Sequence, residues 1–360
     1  MDKDLLIVGG GPAGAAAAIT AQALGLRTIV LERDAAPRER PGETAHPGIE
    51  PLLARLGVRA EVLAENFVRH EGHFVTWADE QRFERFGADA NGPWRGFQLW
   101  RPRFDAILLA AAERAGADVV RPCPRVRPRV EKGCVAGADT PSGKLSARFV
   151  IDATGWQGWL SRALGLRIER PGAPLIAWYG YLSGDCPARD EAPAIAADAG
   201  GWTWTARIRP RLYQWMRLAN DRTRPARDWQ PEEFAGLSPL HAPRGVDVSW
   251  RAVHPAAGPG YFLVGDAAFV LDPASSHGML KALMSGMMAA HLAADVIRSG
   301  ACASATAECY DAWLAHWFRQ DCEELRRRYA ALGGAWSALA FGSGGIATAG
   351  HRHSTLENAG

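Results

Sequence analysis

At 360 residues, with 48% hydrophobic and 22% charged positions, the chain is long enough for one large unit or two intermixed ones around a sizeable core. A net charge of +2 excludes bulk electrostatic attraction to nucleic acid, and six cysteines without a CxxC pair suit neither a zinc site nor a disulfide framework. They read as reduced thiols of a cytoplasmic protein; no leader precedes the first strand, and no apolar run is long enough to predict a membrane span.

The apolar run 5–8 predicts a buried parallel strand, followed by a glycine turn, an alanine-rich helix over 13–24 and a second strand over 28–31. Gly9 permits the tight turn, Gly11 lets backbone N–H groups approach a diphosphate, and Gly14 lets helix and strand pack closely. Pro12 and Ala13 open the helix, whose N-terminus carries partial positive charge toward the phosphates. Glu32 ends the second strand 18 residues beyond Gly14, where a carboxylate accepts from ribose hydroxyls, and Arg33 follows it. The whole reads as a dinucleotide cradle.

Residues 35–60 form a Pro/Gly loop leading into a short helix over 48–56, with strands expected at 73–77 and 96–100 in an otherwise irregular stretch. A helix over 104–115 is opened by residues 100–105, placing Arg101 where it can reach a phosphate. Strands at 119–120, 125–131 and 134–139 lead to one at 148–153 that delivers Asp152 and Gly155. Residues 170–255 alternate aromatic and polar residues, as in an antiparallel sheet. A strand at 261–264 then delivers Gly265 and Asp266, and helices follow over 278–299 and 303–331. The division expected is 1–75, 96–168 and 256–300 for a dinucleotide-binding domain, 76–95 and 169–255 for a substrate domain, 301–341 for helices, and 342–360 for a mobile tail.

Three separated pieces converge: the glycine turn with Glu32, the helix opened at Arg101, and the segment carrying Gly265, Asp266, Pro273, Gly278 and Met279. Together they resemble the FAD-dependent monooxygenase superfamily of the p-hydroxybenzoate hydroxylase type, with its halogenase and geranylgeranyl-reductase relatives, over roughly residues 3–335. The resemblance implies an α/β fold: a Rossmann-like FAD-binding domain of the glutathione-reductase-2 type, an intermixed antiparallel-sheet substrate domain and C-terminal helices. It also implies Asp266 on the ribityl chain and the loop from Pro273 to Gly278, with Met279, beside the flavin ring. Asp152 and Gly155 look like the family's central Asp-Gly motif, although Ala153 and residues 156–160 depart from its spacing. No second glycine cradle occurs between 150 and 260, so electrons would come from transiently docked NAD(P)H or from reduced flavin made by a partner reductase.

The stretches around Glu43 and His46 and around His277 look most like flavoproteins that mature tryptophan-derived quinone cofactors, of the LodB, GoxB and QhpG type. That likeness implies hydroxylation of a tryptophan side chain in a partner polypeptide by O2, through a flavin C4a-hydroperoxide. His277 would serve as an acid or hydrogen-bond donor at the ring edge, or else cap the following helix or fix its loop; Glu43 and His46 lie on a loop that either approaches the flavin or only shapes it. Trp202 and Trp204 share one side of a strand and either wall the substrate pocket or pack in the core. They also resemble the tryptophan-x-tryptophan stretch of flavin-dependent halogenases, but the residue-Ile-Pro sequence that should follow is absent and no lysine occurs between Lys3 and Lys132. Halogenation of an indole or pyrrole and a non-enzymatic flavin-bearing maturation chaperone stay open as alternatives. The arginines from 207 to 227 face either an acidic partner or solvent.

Overall fold

A computed structural model describes residues 2–37, 39–41, 43–77, 80–219 and 221–333, without the side chains of Asp2 and Glu43; the tail over 342–360 lies outside the described residues. Five parallel strands stand in the order Asp118–Val120, Thr28–Leu31, Asp2–Val8, Gly143–Asp152 and Tyr261–Leu263. The early half of Gly143–Asp152 turns instead into an antiparallel meander with Cys134–Thr140 and Arg127–Glu131. Register fixes what this sheet presents. Val8 pairs with both Leu31 and Asp152, and Asp152 with Leu263, so four strands stop on nearly one line. The residues just past that line are Gly9, Glu32, Ala153 and Val264, which brings segments far apart in sequence to one carboxyl edge, the place where open α/β sheets bind ligands.

Helix Pro12–Ala23 is buried along most of its length, which explains its run of alanines. It lies between the sheet and helix Gly278–Ser299, and a Cβ on Gly286 would stand 2.1 Å from the carbonyl oxygen of Ala13. The latter helix is long and apolar enough by length and composition to cross a membrane, but half of that window is buried inside the protein. Its core position accounts for its composition.

The second sheet runs Ser238–Pro239, Ile176–Ser183, Leu212–Ala219, Gly201–Arg209, Ala194–Asp198, Gly72–Trp77, Glu80–Arg85, with Arg244–Asp247 also beside Ile176–Ser183. Its pairs are antiparallel except Ala194–Asp198 with Gly72–Trp77. Helix Ala303–Ala330 ties the two sheets together. Tyr310 donates to the Leu263 carbonyl at 2.8 Å, Trp77 Nε1 donates to the Arg328 carbonyl at 2.8 Å, and Trp202 Nε1 donates to the Tyr329 hydroxyl at 2.9 Å. Trp202 is therefore a fully buried core residue and not a pocket wall; its indole is spent on holding the C-terminal helix. Trp204, half-buried on the same strand, packs against the same core.

The stretch expected to be irregular holds a further helix, Arg59–Ala64, and a small sheet of Glu43–Ala45, Gly96–Leu99 and Val68–His70. The arginines after 206 are largely engaged: Arg207, Arg211 and Arg217 pair with Asp190, Asp185 and Asp198, while Arg209 and Arg224 lie over the rings of Trp100 and Trp178. Arg222 and Arg227, of the same set, are exposed.

Candidate functional site

The strand ends open onto one groove. Gly9 lines it with φ +107°, and a Cβ there would stand 2.3 Å from the Ala153 carbonyl oxygen, so only glycine fits. Gly14 is set back: its Cβ would lie 1.9 Å from the Gly9 carbonyl oxygen, which makes it a packing residue. Gly11 differs from both. Nothing comes within 4 Å of where its Cβ would stand, so its flank is the groove itself. Helix Pro12–Ala23 begins here with no side-chain cap and no acidic residue in its first turn, leaving its free N–H groups for an external anion.

Glu32 braces this turn and also lines the groove. Its Oε2 accepts from the Gly10 N–H at 2.6 Å and its Oε1 from the Asp34 N–H at 3.0 Å, leaving each oxygen a lone pair for a further donor. Arg33 lines the groove next to it, with a buried Nε that has no hydrogen-bond partner. Arg101 is buried in the wall and held by Asp105 through Nε at 2.9 Å and Nη2 at 3.0 Å. Asp266 faces the groove from the far side, exposed to it, with Arg101, Arg251 and Arg40 close enough to favour its ionised form. Pro12, Ala13, Gly155, Gly265, Gly278 and Met279 complete the lining among the residues expected there.

Besides Gly14, two residues expected to contact the cofactor do not line the groove. Asp152 is fully buried, and its carboxylate accepts from the Thr154 N–H at 3.0 Å, the Thr154 hydroxyl at 2.7 Å and the Leu160 N–H at 2.8 Å. It folds the turn that presents Ala153, Thr154 and Gly155, and has no face left for a ligand. Pro273 opens a single turn, Pro273–Ser275, capped by the Asp272 carboxylate at the Ala274 N–H, and does not line the groove. Conversely, Arg40, Cys123, Thr154 and Gln157 line it and carry no motif that a sequence reading could use. Cys123 has a hidden signal: its N–H donates to the Glu32 carbonyl at 2.7 Å because Asp118–Val120 pairs with Thr28–Leu31.

A rim of imidazoles continues from the groove at the start of helix Gly278–Ser299. His277 occupies the position before the first turn but makes no side-chain capping bond. Burial, with Lys281 and Arg328 nearby, pulls its pKa to about 4, so the ring is uncharged at neutral pH. That removes it as a resident acid and leaves it a hydrogen-bonding group or base. His46 stands 6.4 Å away, ring to ring, with its Nδ1 accepting from the Gly48 N–H at 3.1 Å and its pKa lowered by burial and by His277. The neutral His46 ring therefore carries its proton on Nε2. Phe86 packs against His46, His70 and His73 at 5.3–5.7 Å. His70 is satisfied on both nitrogens, by the Gly72 carbonyl and the Gln98 amide, and so is structural. Glu43 opens the strand Glu43–Ala45, but its side chain lies outside the described residues.

The family model for the FAD binding domain matches residues 2–235. The chain belongs to that family. Among curated relatives, this flavoenzyme is 28% identical over 347 residues to a digeranylgeranylglycerophospholipid reductase of Methanoculleus marisnigri, covering 87% of the chain and 82% of the reductase. It is 26% identical over 351 residues to a tryptophan 2-halogenase of Chondromyces crocatus, covering 87% of the chain and 66% of the halogenase. In fold it is similar to the flavin-dependent halogenase CmlS, with a TM-score of 0.82, 24% identity and coverage of 95% of this chain and 68% of that one. It is likewise similar to the peptidyl tryptophan dihydroxylase QhpG, essential for tryptophylquinone cofactor biogenesis, at a TM-score of 0.75, 21% identity and coverage of 96% and 80%. The groove suits FAD: the open flank of Gly11, the uncapped helix start and the Arg33 guanidinium, whose buried Nε has no hydrogen bond and only a 3.8 Å ion pair with Asp34, match a diphosphate-bridged dinucleotide.

Proposed function

We propose that this FAD-dependent flavoenzyme is a monooxygenase that hydroxylates an aromatic ring, that of a tryptophan side chain in a peptide or partner polypeptide. The observation carrying this reading is the placement of the amines. Of the four lysines, Lys3 pairs with Asp118, Lys132 sits in a hairpin turn, Lys144 lies on an exposed strand and Lys281 is buried against Asp321; none lines the groove. The groove lining therefore carries no ammonium of the kind hypohalous acid chemistry needs, and Lys281, behind His277, has its charge committed to Asp321. Oxygen transfer to an electron-rich ring needs none.

In this reading Gly11 and the helix start at Pro12–Ala23 hold the diphosphate, Glu32 and Arg33 the adenosine ribose side, and Asp266 the ribityl hydroxyls. The first N–H groups at Gly278 and Met279 face the ring edge from a second helix with no side-chain cap and no acidic residue in its first turn. Bound FAD supplies the redox chemistry, once reduced by NAD(P)H or exchanged for reduced flavin from a partner reductase, and with it the reaction with O2. The protein supplies orientation and proton handling. Neutral His277 accepts or relays the substrate's ring proton, and His46, its proton on Nε2, donates a hydrogen bond across the rim.

The likeness to a tryptophan 2-halogenase favours halogenation as the second reading. One experiment separates them. The protein is incubated with reduced FAD, O2, chloride and bromide, together with a tryptophan-containing peptide or free tryptophan, and products are weighed by mass spectrometry. Gain of oxygen by the peptide supports the proposal; incorporation of halogen overturns it.

A further inference from the structure

His277 stands where three elements meet. Its own helix brings Lys281 one turn further on, the loop before Ile49 brings His46, and helix Ala303–Ala330 brings Asp321, Glu324 and Arg328. Lys281 is only 6% exposed, with its ammonium 5.6 Å from the Phe269 ring and 5.2 Å from that of Trp317. A cation so placed needs a counter-charge to remain ionised. Asp321, itself largely buried, provides it: one carboxylate oxygen pairs with Lys281, and the other stands 3.8 Å from His277 Nδ1. One carboxylate thus touches a buried cation and faces the imidazole at the mouth of the flavin groove.

We propose that Asp321 is a positioning residue for His277: it holds the ring through Nδ1–H, leaves Nε2 as the basic nitrogen on the far side, and is kept ionised in its buried place by Lys281. The inference rests on reading His277 as the group that takes a substrate proton. The 3.8 Å separation exceeds a hydrogen bond, as carboxylate–imidazole contacts in open sites often do before loading draws them together. A carboxylate behind an imidazole fixes the tautomer and steadies the charged ring that forms when it accepts a proton. Lys281 works against that charge, together with Arg328, while Glu324 works with it.

The test is nitrogen-15 NMR of histidine-labelled, FAD-loaded full-length protein, with the His277 signals assigned from His277→Gln. Wild-type His277 should be the Nδ1–H tautomer. Asp321→Asn should shift it toward Nε2–H and lower kcat for peptide hydroxylation about tenfold or more with KM unchanged, and Asp321→Glu should restore both in part. Lys281→Met should raise the His277 pKa by about one unit. Should Asp321→Asn alone fail to fold around an uncompensated lysine, the double variant Lys281→Met with Asp321→Asn carries the same tautomer test. An Nε2–H wild-type ring, or a tautomer indifferent to Asp321, overturns the inference. Full hydroxylation by His277→Gln would instead remove the catalytic reading of His277 while leaving the tautomer result standing.

Discussion

The glycines of the first turn do different work, and substitution separates them. Gly14→Val drives a side chain into the Gly9 carbonyl oxygen, where a Cβ alone would stand at 1.9 Å, so it should destabilise the fold by about 3 kcal/mol or more in denaturant melts. Gly11→Val meets nothing within 4 Å of its Cβ and sits at φ −71°, so the melt should be unchanged while FAD affinity, followed by flavin fluorescence, falls at least about tenfold. Equal melts and equal affinity would mean that the diphosphate lies elsewhere. Asp272 offers a pH test. Its buried carboxyl, which accepts from Trp250 Nε1 at 2.7 Å, is pushed up to about 6 from an ordinary value of 3.8. The folded state therefore holds this proton more tightly than the unfolded chain. Stability should rise as pH falls from above 6 toward 4, by at most about 3 kcal/mol from this group. In Asp272→Asn that gain should disappear from unfolding curves recorded between pH 7.5 and 5; an unaltered slope would show that Asp272 is not the group titrating.

At the scale of elements, helix Ala303–Ala330 does more than cover the molecule. Its last turn carries a hydrogen-bond chain from Trp202 Nε1 through the Tyr329 hydroxyl to the Asp272 carboxylate, joining the second sheet to the loop that precedes helix Gly278–Ser299. Arg328 adds a bond to the Ala274 carbonyl at 3.3 Å. Tyr329→Phe leaves the buried Trp202 N–H without its acceptor and should cost about 1–3 kcal/mol. Because the same chain fixes the loop before His277, FAD affinity should weaken alongside. A loss of stability with full retention of flavin would confine this chain to packing. Trp202 teaches a related point. Alternation along a strand identifies its side of the sheet, but only the arrival of Tyr329, 127 positions later, determines that this side is core.

For the molecule as a whole, the FAD-binding half was legible because local rules and global topology agree there: apolar runs end in glycine or acidic residues at the sheet's carboxyl edge. The expected helix over 278–299 and the strand over 28–31 match the observed Gly278–Ser299 and Thr28–Leu31. What stayed hidden depends on contacts across long sequence distances. Asp152 followed a strand as a ligand-binding acid would, yet its carboxylate is consumed by its own turn. Lys281 and Asp321 meet between two helices whose sequences announce only amphipathic packing. The neutral state of His277 likewise comes from burial and neighbouring cations that no motif encodes.

Flavin stoichiometry is the most direct measurement of the central claim, that the N-terminal glycine turn and the late Gly265–Asp266 strand end hold one FAD between them. Reconstitution followed by absorbance should give one FAD per chain in the wild type and a colourless but folded protein in Asp266→Ala. A folded wild type that takes up no flavin, or an Asp266→Ala variant with undiminished occupancy, would contradict it.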